Sequence, residues 1–130
     1  MNELIIEAKV ENMEAVQNFI GERLGDCPEK IRNQIGIAVD EIFSNIANYA
    51  YNPETGGAAV RVSVDNDITI EFEDCGTAYN PLSKEDPDIS LPAEKREVGG
   101  LGIYILKNIM DSVGYRREGG KNILTIRKSL

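Results

Sequence analysis

The chain has 130 residues, 42% of them hydrophobic and 28% charged, which fits one domain with a real core. Its net charge of −8 and isoelectric point near 4.6 argue against direct binding of nucleic acid, which needs a basic face, and against docking on acidic membranes. Histidine is absent, which excludes Ser-His triads, histidine-type zinc sites and a phosphohistidine on this chain.

No apolar run reaches the roughly 18 residues of a membrane span, and the N-terminus lacks a basic region and a cleavage site. Cys27 and Cys75 have no metal-ligand spacing and read as free thiols of a cytoplasmic protein.

Leu4 to Val10 reads as a first strand. Asn12 is a candidate cap for a helix whose apolar face is Met13, Val16, Phe19, Ile20 and Leu24, ending near Gly25. Pro28 suits the first turn of a second helix, with Asp26 close enough to help cap it. That helix should run to Tyr51, before the loop Asn52-Pro53-Glu54-Thr55-Gly56-Gly57. Ile31, Ile35, Ala38, Ile42, Ile46 and Tyr49 fall on one stripe of it at about 100° per residue. Glu41, Asn45 and Asn48 fall on a neighbouring stripe, at the edge of the apolar seam. Taken alone, such a stripe is also what a solvated helix flank looks like.

Ala58 to Val64 alternates, with Val60, Val62 and Val64 on one face; Asp65-Asn66-Asp67 turns; and Ile68 to Glu73 alternates again, so this is a hairpin. Asp74-Cys75-Gly76 follows at the strand end. Residues 77–98 contain Pro81, Pro87 and Pro92, mixed charge and little periodicity, and read either as a surface loop or as a functional lid. Gly99-Gly100-Leu101-Gly102 opens a third helix with Ile103, Leu106, Ile109, Met110 and Val113 on its buried side and Gly114 at its end. Tyr115 to Glu118, Gly119-Gly120 and Asn122 to Lys128 make a last hairpin. The expected fold is α/β: a two-layer sandwich of a mixed, mostly antiparallel sheet with helices on one face.

Three stretches carry chemistry. A carboxylate such as Asp74 at a strand end can accept a hydrogen bond from the exocyclic amine of adenine, where guanine offers a carbonyl instead. Gly76 lets the backbone approach a base closely. Gly99-Gly100-Leu101-Gly102 frees helix N-terminal amides to face phosphate, although a hinge would look the same. Asn45 offers a neutral oxygen suited to Mg2+, and Glu41, one turn earlier, could deprotonate or orient an attacking hydroxyl. Asn48 could bind water around the metal. Lys84, Lys95, Arg96 and Arg116 are either phosphate-neutralising cations or plain surface charges.

Together these pieces resemble the Bergerat ATP-binding fold of the gyrase, histidine kinase and MutL superfamily, and within it the small anti-sigma factor serine kinases of bacteria. Residues 41–51 are similar to the N box, 72–81 to the G1 box and 99–111 to the G2 box, in the right order over nearly the whole chain. The resemblance implies a single histidine-kinase-like ATPase domain over 1–130, with 77–98 as the ATP lid. It implies Glu41 as general base, Asn45 as Mg2+ ligand and Asp74 as adenine reader. Asn48, Gly76, Tyr79, Gly99, Gly100, Leu101 and Gly102 would line the nucleotide. It further implies ATP and Mg2+ as cofactors, a sigma factor and a STAS-type anti-anti-sigma protein as partners, and a homodimer. A nucleotide-gated binding module with little or no phosphoryl transfer is the alternative. Two positions depart from the family pattern: Tyr49 stands where relatives often carry histidine, and Val98, not arginine, precedes the G2 glycines, with Arg96 two residues further back.

Overall fold

A computed structural model describes residues 1–52, 54–83 and 101–130, with Leu101 described by its backbone alone. The elements are β1 (Asn2–Glu7), α1 (Met13–Leu24), α2 (Glu29–Asn45), β2 (Gly57–Val64), β3 (Asp67–Asp74), α3 (Leu101–Ile109), β4 (Ser112–Glu118) and β5 (Lys121–Ser129). The strands form one sheet in the order β1-β2-β3-β5-β4.

Each neighbouring pair in this sheet is antiparallel, so the expected mixed character is absent among the described residues. Tight turns account for two of the pairs. Asp65-Asn66 joins β2 to β3, and Gly119-Gly120, both at positive φ, joins β4 to β5.

The period-two pattern sets the core. Across β2, β3 and β5 the rungs Val60–Phe72–Leu124 and Val62–Ile70–Ile126 are buried on one face. Helices close that face with Val16, Ile20 and Leu24 of α1, Ile35, Ala38, Val39, Ile42 and Phe43 of α2, and Ile103 and Leu106 of α3. The result is the two-layer Bergerat sandwich. The other face is charged: Arg61 reaches Glu71 at 3.1 Å, Glu3 at 3.1 Å and Glu73 at 3.0 Å.

Several local expectations are corrected. β1 ends at Glu7, not Val10, because its partner strand begins at Gly57, directly opposite Glu7. Asn12 does not cap α1; its amide donates to the Glu7 carbonyl at 2.9 Å and secures the strand end instead. The N-cap of α2 is Pro28 itself, with no side-chain cap from Asp26. Beyond Asn45 the helix widens into a π turn, Ile46–Ala50. Its slower winding carries Tyr49 off the apolar stripe, leaving it 66% exposed.

α3 stops at Ile109, and Val113 and Gly114 belong to β4. The chain is turned into the sheet by Asp111, whose amide donates to the Arg127 carbonyl at 2.9 Å, while Lys128 caps the Ile109 carbonyl at 2.8 Å.

Candidate nucleotide site

At the end of α2, Ala38, Ile42 and Ile46 sink into the core and leave Glu41 and Asn45 on the flank, both half-buried. One helical turn apart, they touch: the Asn45 amide donates to Glu41 Oε1 at 3.1 Å. This turns the amide nitrogen to the carboxylate and reserves the amide oxygen for another partner. The first turn of α3 lies against the same carboxylate. A Cβ built on Gly102 would overlap the Glu41 carboxyl group, so any larger residue here has to push that carboxylate aside. Glu41 and Asn45 therefore stand beside a helix N-terminus, where backbone amides and the helix dipole favour anions.

The π turn joins this end of the site to β3. A Cβ on Gly76 would overlap the Ala50 carbonyl, and Thr77 donates its amide to that carbonyl at 3.0 Å. Tyr51 ties three segments together. Its ring lies on Gly56, its hydroxyl donates to the Gly57 carbonyl at 2.6 Å, and it accepts the Cys75 amide at 2.7 Å. Burial raises the Tyr51 pKa above its ordinary value and the nearby Asp74 charge adds to this, so the hydroxyl remains a donor.

Asp74, the last residue of β3, is 6% exposed. Its Oδ1 accepts the Gly76 amide at 2.9 Å and the Asn122 side-chain amide at 3.0 Å. Asn122, on β5, is 7% exposed. It also donates to the Thr77 carbonyl at 2.9 Å, and its oxygen receives the Tyr115 hydroxyl at 2.6 Å and the Tyr79 amide at 3.3 Å. Arg117 donates to the Gly76 carbonyl at 2.9 Å.

The structure thus brings Glu41, Asn45 and Gly102 together, and separately Asp74, Gly76 and Tyr79, with the π turn between the two groups. Asn48 lies exposed on that turn. Arg116 is turned to Glu118 and Glu71, the latter on the charged outer face of the sheet, which removes it as a phosphate cation. Gly99, Gly100, Lys84, Lys95, Arg96, Val98 and most of the lid lie outside the described residues, as does the Leu101 side chain.

Asn122, Tyr115, Arg117 and the role of Tyr51 were missed in the sequence. Asn122 did leave a signal. It is in phase with Leu124 and Ile126 on the buried face of β5, where alternation calls for an apolar residue.

Residues 6–128 match the family model of the histidine kinase-like ATPase domain, and the chain belongs to that family. Among its relatives, it is 29% identical to the serine-protein kinase RsbW of Bacillus cereus strain AH820, over 94% of this chain and 81% of that protein. It is 25% identical to the serine/threonine-protein kinase BtrW of Bordetella bronchiseptica, over 75% of this chain and 70% of that protein.

Proposed function

We propose that this chain is an ATP-dependent protein serine kinase of the anti-sigma factor type, which phosphorylates a STAS-type anti-anti-sigma partner and sequesters a sigma factor. The observation that carries this reading is the Glu41–Asn45 pair held against Gly102 at the N-terminal turn of α3. It joins a base, a hard-cation ligand and a phosphate-favouring helix end. The relatives RsbW and BtrW, a serine-protein kinase and a serine/threonine-protein kinase, support the same reaction.

The residues fit ATP with Mg2+. Among the described residues no group of three or more cysteines and carboxylates forms a ready metal cage. One amide oxygen, from Asn45, suits Mg2+, which keeps its waters and shares the phosphates. When bound, Mg2+ would neutralise charge on the phosphates. Asp74 would accept from the adenine 6-amino group, with Gly76 and Tyr79 beside the base. Gly99, Gly100, Leu101 and Gly102 would supply amides to the phosphates, and Asn48 a contact to metal-bound water.

Glu41 acts as general base. It takes the hydroxyl proton as the acceptor serine oxygen bonds to the γ-phosphorus, the bond to the bridging oxygen breaks, and ADP leaves. The same reading includes a cytoplasmic homodimer. Among the described residues no helix is long and apolar enough to cross a membrane.

Incubation with labelled ATP, Mg2+ and a STAS-type anti-anti-sigma protein from the same organism tests the reading. Label should pass to a partner serine and should fail to do so with Glu41→Ala. Transfer at an unchanged rate in that variant overturns the assignment of Glu41. ATP binding with no transfer to any partner identifies the chain as a nucleotide-gated binding module instead.

A further inference from the structure

We infer that Asn122 is a positioning residue for adenine recognition, acting through Asp74. The inference rests on the nucleotide-site reading above. A carboxylate can read an exocyclic amine only if its rotation is fixed, because a freely turning group offers either oxygen in any direction. Here Oδ1 of Asp74 receives two hydrogen bonds, from the Gly76 amide at 2.9 Å and from Asn122 at 3.0 Å. Both land on one oxygen, which leaves Oδ2 for the base.

The carboxamide of Asn122 is itself locked. Its nitrogen faces two acceptors, Asp74 Oδ1 and the Thr77 carbonyl, the latter at 2.9 Å. Its oxygen faces the Tyr79 amide, a pure donor, at 3.3 Å. A flipped amide would set donor against donor and acceptor against acceptor, so one orientation alone satisfies the set. Tyr115 completes it with a 2.6 Å bond to the oxygen. All four hydrogen-bonding positions of the carboxamide are thus used, and three of its partners come from the segment Asp74–Tyr79. Aspartate at 122 would lose both donors and set a second carboxylate against Asp74. Leucine would leave the Thr77 carbonyl and the Tyr79 amide without their Asn122 partner and Asp74 held by the Gly76 amide alone.

The test compares ATP with purine riboside triphosphate, which lacks the 6-amino group, by calorimetry on the full chain. The unsubstituted protein should bind ATP more tightly. Asn122→Ala should weaken ATP by about 10-fold, the scale of one imperfect hydrogen bond, and the analogue by no more than about twofold, so that the preference collapses. Tyr115→Phe should move the same ratio in the same direction by about threefold, and it carries the test if Asn122→Ala does not fold.

Equal weakening of both nucleotides would mean a purely structural role and would overturn the inference, as would an unchanged preference in both variants. Failure of the unsubstituted chain to bind either nucleotide would overturn the site reading itself.

Discussion

The two ends of the candidate site are held in different ways. At the β3 end, Asp74 is fixed by Gly76 beside it and by Asn122, 48 positions away; Asn122, Arg117 and Tyr51 converge on one short loop, and Tyr115 holds Asn122 in place. At the α2–α3 end, Glu41 and Asn45 are aligned by spacing within one helix, and a single glycine lets the next helix approach. The first arrangement selects by hydrogen-bond geometry and should fail gradually as bonds are removed. The second depends on volume and charge and should fail abruptly.

The contrast orders the expected effects. Glu41→Gln should lower the rate of phosphate transfer by about 100- to 10,000-fold, the usual worth of a general base, while ATP still binds by calorimetry. Gly102→Val forces its side chain into the Glu41 carboxylate, and initial rates should fall on the order of 100-fold, the cost of a displacement of about 1 Å at a reacting group. An active Gly102→Val enzyme would erase the proposed difference between the two ends.

At the β3 end, Asp74→Asn should cost about 1–3 kcal/mol of ATP affinity through an imperfect adenine contact, with near-unchanged affinity arguing against its role. Tyr51→Phe leaves the Cys75 amide and Gly57 carbonyl without their shared partner and should cost about 1 kcal/mol in chemical denaturation, with a smaller effect on ATP affinity. Arg116→Ala, on the exposed outer face, should change stability by less than about 0.5 kcal/mol and leave transfer intact.

The sequence revealed the parts that depend on short-range repetition. Alternation in 58–64 and 68–73 predicted the central hairpin, and helical spacing put Glu41 one turn from Asn45 beside the seam of Ala38, Ile42 and Ile46. Hidden were features whose cause lies elsewhere in the chain. Asn12 looked like a cap because the Glu7 carbonyl that claims its amide belongs to a strand end whose position is set by Gly57. Val113 continued the apolar pattern of α3 by phase alone, while the pull of Arg127 and Lys128 on residues 109–111 ended the helix. The π turn has no local signature and displaced Tyr49 from its expected face. Asn122 stood out as a polar residue in an apolar phase, but its partner lies 48 positions away on a neighbouring strand.

The central claim is that one nucleotide bridges these two ends. Amide NMR spectra recorded with ATP and a trace of Mn2+ in place of Mg2+ test it most directly, since the paramagnetic ion erases signals close to the bound metal. The signals of Asn45 and Gly102 should vanish first, those of Asp74 and Asn122 should shift with the base, and those of Arg61 and Thr125 on the outer face should remain. Loss centred on the outer face, or Asn45 and Gly102 unaffected while ATP is bound, would contradict it.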